Sequence, residues 1–253
     1  MNGTVRRTGN HIEFLGEVNE KMAMCLLDAI CKALNEGVDK IIVSICSGGG
    51  DGWIAFQLYA RIWKMMRANA RQDGKAVPLW TCAVGEVSSA GIVLFMAGDH
   101  RCMSQSAELK FHEGVVSMGP KGQNVPAQAI KDSLAAISKQ EHCLCADVNV
   151  RILMRGLLGT SRRRKRLWNP YTRELAAISR QIIKGVHCCE KSPAVIKLLK
   201  GMTDDAERRG YIYAGIIARR SGLAVKDVNA LMRQSERIDG AQACALGLAH
   251  ECI

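Results

Sequence analysis

The sequence predicts an α/β fold built on a mostly parallel sheet covered by helices. Three observations point there. The run Lys40–Ile45 is β-branched with few polar breaks, as a strand buried on both faces reads. Helical stripes flank it: Met22, Leu26, Ile30 and Ala33 before, then Ile54, Leu58, Ile62 and Met65/Met66 after. Strand and helix alternate through residue 114, the rhythm of right-handed crossovers between parallel strands.

Taken in order, residues 12–15 read as a short strand stopped at Gly16. The first helix is capped by Asn19 and stopped by Gly37, with Leu27 and Leu34 beside its buried stripe. The buried strand runs into Ser47-Gly48-Gly49-Gly50-Asp51, which opens the second helix. Val77–Val84 is the next strand, Ser89–Ala97 a short apolar helix, and Cys102–Phe111 a further strand region. From Val125 to about Leu158 the pattern is helical and long. Residues 160–200 read as basic and irregular, broken at Asn169-Pro170 and Ser192-Pro193. Helical spacing resumes at Tyr211 and stops near Gly222, and a short last helix closes at Gly247. No internal repeat is visible.

The chain has 253 residues, 48% hydrophobic and 23% charged, which is a globular composition. The most apolar stretch, Ala90–Gly98, falls far short of the ~20 residues that cross a bilayer. The segment Met1–Asn10 lacks the apolar core of a signal peptide, so the expectation is a cytoplasmic protein with no membrane contact. Its eleven cysteines then read as reduced thiols. His142, Cys143 and Cys145 cluster, as do His187, Cys188 and Cys189, but neither group has the two-residue gap of a zinc site. No metal or other cofactor is expected.

The net charge of +11 is local: residues 151–220 hold 17 Lys/Arg against 5 Asp/Glu, and the rest is nearly neutral. Its peak, Arg162–Arg166, has no interleaved aromatic platform. It reads as a solvated loop rather than a nucleic-acid surface.

Three features carry chemistry. A glycine turn after a buried strand, Gly48-Gly49-Gly50, can point bare N–H groups at an oxyanion. Alone it is weak, since such turns also bind phosphate. The spaced glycines of a dinucleotide site are absent. Next, Gly85-Glu86-Val87-Ser88-Ser89-Ala90-Gly91 sets a serine at a strand-to-helix turn, where a helix start favours developing negative charge. The simpler reading there is an N-cap serine. Last, His112 ends the following strand region, and a serine needs such a base to become a nucleophile. Order and spacing together carry more weight than any one of the three.

These segments resemble the proteolytic subunits of Clp proteases and their phage-related relatives. That family has Ser-Pro-Gly-Gly where this chain has Ser47-Gly48-Gly49-Gly50. It has Gly-x-Ala-Ala-Ser-Met-Gly where this chain has Gly85–Gly91, and a Met-Ile-His-Gln-Pro type segment where this chain has Lys110-Phe111-His112-Glu113-Gly114. Met96-Ala97-Gly98-Asp99 and the tail Gly240–Leu248 are also similar. The resemblance covers roughly residues 12–150 and 211–253. It implies a crotonase/ClpP-like superhelix of repeated ββα units with a mostly parallel sheet, forming one domain over 1–253. A helical handle would lie at about 125–158 and a basic insertion at about 155–210.

By the same resemblance, Ser89 is the nucleophile, His112 the base, and the N–H groups of Gly49 or Gly50 and of Ala90 the oxyanion donors. The implied activity is endopeptidase cleavage of unfolded polypeptides inside a homo-oligomeric ring fed by a Clp-type ATPase. The family's third residue is an aspartate that orients the imidazole. Counted back without gaps from Gly247, that position is Ser235, with Glu236 and Asp239 as nearby carboxylates. Gly48 also stands in place of the family's proline. A catalytically impaired ring subunit is the alternative, and acyl-CoA chemistry on the same fold is a third reading.

Overall fold

The computed structural model of the chain describes residues 3–69, 76–116, 124–139, 146–161, 179–180, 182 and 193–253. The run Arg162–Arg166 and both Cys/His clusters lie outside the described residues. The chain divides into two compact units, Met1–His112 with Tyr211–Ile253, and Glu113–Gly210.

The first unit is built on one sheet. Its path runs β1 (Thr4–Thr8), β2 (His11–Leu15), β3 (Ile41–Ser47), β4 (Leu79–Ser88), β5 (His100–Met103), β10 (Glu251–Cys252). All neighbours on this path are parallel except β1 and β2. The strand β6 (Glu108–Lys110) lies off the path, parallel to β4 and antiparallel to β9 (Arg237–Ile238). The ten-residue β4 therefore serves two partners in turn: Trp80–Ala83 pair with β5, and Glu86–Ser88 pair with β6. At the changeover Gly85 lies against Cys46, where the β3 register also shifts.

Alternate residues of β2 and β3 face the core, with Ile12, Phe14, Ile41, Val43 and Ile45 essentially fully buried. Helix α1 (Glu20–Asn35) covers them with Met22, Leu26, Ile30 and Ala33, as the stripe predicts. Asn19 caps it, accepting from Met22 N–H at 2.9 Å, worth about 1 kcal/mol. Helix α2 (Gly52–Ala68) is capped by Asp51 and buries Ala55, Leu58, Ile62 and Met66. Helix α3 (Ala90–Phe95) is buried along its whole length.

The second unit holds the hairpin β7 (Val115–Val116) with β8 (Val125–Pro126), then α4 (Ala127–Ser138) and α5 (Val148–Ser161). These last two fall in the range read as a handle. Their core joins Val125, Ile130, Leu134, Ile137, Val150, Leu153 and Met154 to Val195 and Leu199.

Several elements differ from the sequence reading. The helix expected from Tyr211 begins at Pro193: α6 spans Pro193–Ser221. Proline is tolerated in a first helical turn, where its missing N–H has no partner to lose. Strand β4 runs on to Ser88, past the expected end at Val84. The region Cys102–Phe111 is two strands, β5 and β6, and β1 was not expected. Cys82 and Cys102 are register partners on neighbouring strands, with Cα atoms 4.6 Å apart. Cys25, Cys31, Cys46, Cys244 and Cys252 are free.

The end of the chain folds as α7 (Val225–Gln234), β9, α8 (Gly240–Ala245) and β10. One buried cation organises this region. Arg101, 2% exposed, donates to the carbonyls of Leu248 (2.7 Å), Arg220 (3.0 Å), Gly247 (3.2 Å) and Gly98 (3.3 Å). Arg220 in turn donates to Met96 O at 3.1 Å and to Gly98 O. Carbonyls at the ends of α3, α6 and α8 thus converge on two guanidinium groups, as orphan helix-end acceptors favour. Burial, and then the charge of Arg220, push the Arg101 pKa down to about 10.

Candidate active site

Ser89 stands between β4 and α3 with φ 50° and ψ −121°. This is a left-handed conformation that a serine adopts only when its surroundings impose it. Among the described residues, only Ser89 and Ser235 are non-glycine residues with positive φ. The Ser89 carbonyl accepts the first helical bond, from Ile92 N–H at 2.9 Å. Its hydroxyl does not cap α3. The N-cap explanation therefore does not account for this serine. Ser88 is different: it is buried, and its hydroxyl donates to Lys110 O at 3.4 Å.

Lys110 O also accepts from Ser89 N–H at 3.3 Å, so the end of β4 is latched to the end of β6. His112 follows two residues later and is half-buried. Phe111 between them is fully buried and packs its ring edgewise on Tyr213, centroids 6.3 Å apart. The pairing of β4 with β6 thus brings the serine and histidine segments side by side.

The glycine turn comes up to the same place. A side chain at Gly49 (φ 104°) would lie 2.8 Å from Ser89 Cβ and 3.5 Å from its Oγ, so only glycine fits there. Gly49 N–H donates to Ser47 Oγ at 3.3 Å. Gly50 (φ 138°) sits in a bridge with Val18, which takes the C=O of Gly49 at 2.7 Å and the N–H of Asp51 at 2.8 Å. The alternation of a bridged strand then turns the N–H of Gly50 away from Val18. Ala90, with its N–H next to the nucleophile candidate, is buried.

The three candidates for the third position lie around β9. In the antiparallel pair of β6 and β9, Leu109 faces Ile238 and Lys110 faces Arg237. Phe111 N–H then donates to Glu236 O at 2.9 Å. Ser235, the residue before Glu236, is exposed, and Glu236 is half-buried. Ser235 ends α7 in a left-handed conformation, φ 53° and ψ 44°. Asp239 lies toward Glu108, and its carboxylate accepts from Gln242 N–H at 2.8 Å in a capping box that starts α8. Ser47 was not singled out as a site residue from the sequence. Its only signal there was its place directly before the glycines.

No protein-family model matches the sequence, and no curated protein matches it. Among solved structures, a mutant of ClpP1 from Listeria monocytogenes superposes with a TM-score of 0.55. The match covers 97% of this chain and 91% of that one, at 12% identity.

The chain has a ClpP-like fold. At that identity the likeness speaks for the fold alone, and the ClpP-like frame holds Ser89, His112, Ser235 and the glycine turn in the first unit. Among the described residues no helix is long and apolar enough to cross a membrane. No group of three or more His, Cys, Asp or Glu is gathered to hold a metal ion among them.

Proposed function

We propose that the chain is a ClpP-like serine endopeptidase acting on unfolded polypeptides, with Ser89 as nucleophile and His112 as base. The observation that carries this reading is the backbone of Ser89: left-handed, released from capping, and pressed against Gly49. In this reaction Ser89 Oγ bonds to the scissile carbonyl carbon as its proton passes to His112. The carbonyl oxygen becomes an oxyanion between the N–H groups of Gly50 and Ala90, Gly49 shaping the turn. His112 gives the proton to the leaving amine as the C–N bond breaks. Water, deprotonated by the same imidazole, then opens the acyl ester. Each oxyanion donor contributes about 10²–10³ in kcat.

A fluorophosphonate probe should label the wild type and leave Ser89→Ala unlabelled. Equal labelling of the two, or none of either, would sink the assignment.

By the same reading the chain assembles as a homo-oligomeric ring with α4 and α5 in the handle, served by a Clp-type ATPase. Sedimentation should then show a particle several times the monomer mass of 27.6 kDa. A monomer at working concentration would remove the ring. The second reading, an impaired subunit, is favoured by one observation: Asp239, a carboxylate near the third position, is committed to the capping box that starts α8. Labelling without peptide turnover is its expected signature.

A further inference from the structure

Ser47 is the last residue of β3 and is 1% exposed, yet its side chain is polar. A buried hydroxyl needs partners, and both of its partners are one residue. Ser47 Oγ accepts from Gly49 N–H at 3.3 Å and donates to Gly49 O at 3.4 Å. The same side chain touches the nucleophile's helix. A Cβ added at Gly91 would lie 3.0 Å from Ser47 Cβ and 3.1 Å from its Oγ. Ser47 is therefore wedged between the glycine turn and the first turn of α3.

This arrangement has a chemical consequence. Glycines at φ 104° and 138° have many alternative conformations, and a turn of three of them does not hold its N–H groups in one direction by itself. Val18 fixes the outer side of the turn, through Gly49 O and Asp51 N–H. Ser47 fixes its inner side. With the N–H of Gly49 committed to Ser47, the donor that remains for an oxyanion is that of Gly50.

We propose that Ser47 is a positioning residue that aims Gly50 N–H at the oxyanion by clamping Gly49. It touches neither substrate nor the reacting atoms, and the assignment rests on the peptidase reading above.

The test compares wild type with Ser47→Ala, using a short fluorogenic peptide and a peptide boronic acid that forms a tetrahedral adduct on Ser89. Removing the clamp should lower kcat by about 10–100-fold, somewhat less than loss of a donor outright. KM should stay within about twofold, and boronate affinity should weaken by the same factor as kcat, as expected for an interaction made only in the transition state. Ser47→Cys keeps the wedge against Gly91 with a weaker hydrogen-bonding group, and should fall with Ser47→Ala. It also supplies the same readings should the alanine variant not fold. Turnover within twofold of wild type in the folded variant overturns the assignment. So does a loss that appears in KM with boronate affinity unchanged. A wild type that neither takes the fluorophosphonate nor turns over peptide overturns the peptidase reading as well. That separates the two failures.

Discussion

Ser235→Asp should raise peptide turnover, by at least about 10-fold and toward ~10³–10⁴. A carboxylate behind the base holds the tautomer that accepts the serine proton and stabilises the imidazolium that results. Losing it costs about 10⁴ in kcat in serine proteases. Ser235 directly precedes Glu236, whose carbonyl accepts from Phe111 N–H next to His112, and it offers a hydroxyl where the proposed mechanism calls for a charge.

The backbone accepts the change, because aspartate tolerates φ 53° better than most residues do. A negative charge at the end of α7 opposes the helix dipole by only about 0.3–1 kcal/mol. Ser235→Ala should change turnover by less than about fivefold. A folded Ser235→Asp protein that labels at Ser89 but turns over no faster would show that position 235 does not face the base.

Arg101→Met is expected to lower stability by about 3–5 kcal/mol, because it removes the donor to four buried carbonyls. It leaves the carbonyls of Leu248, Gly247, Gly98 and Arg220 without this donor. Each such loss runs to about 1–3 kcal/mol where water cannot enter. The removed charge returns part of this, since burial already pushes the pKa down to about 10. For a chain of this size the net loss means a Tm lower by roughly 6–20 °C. A melt within about 2 °C of wild type would mean that Arg220 takes over the abandoned carbonyls.

Local chemistry was legible in the sequence. The cap at Asn19, the buried stripe of α1 and the β-branched run of β3 each depend on neighbours in the chain, and each took its expected form. The turn at Ser89 was legible for the same reason, since glycines flank it on both sides. What was hidden depends on pairing at a distance. β4 looked finished at Val84 because Gly85 interrupts the apolar run, yet its end is held as strand by β6. Cys82 and Cys102 became neighbours only through the β4–β5 register. The third position was ambiguous among Ser235, Glu236 and Asp239 for the same reason. Only the fold shows that Asp239 caps α8. Pro193 read as a break although it begins a helix, because proline marks a boundary without telling which side is ordered.

The pairing of β6 with β9 also bears on when the chain becomes competent. It joins residue 109 to residue 238, so the segment after Lys110 gains its counterpart only when most of the polypeptide is in place. Closing so long a loop has an entropic cost that nearby contacts must already have offset, and such contacts form late. The serine and the glycine turn come together within the first ninety residues, and β4 holds β6 on one edge, but the other edge of β6 waits for the far end of the chain. On the proposed peptidase reading, a partly folded copy would lack this last support of the His112 segment.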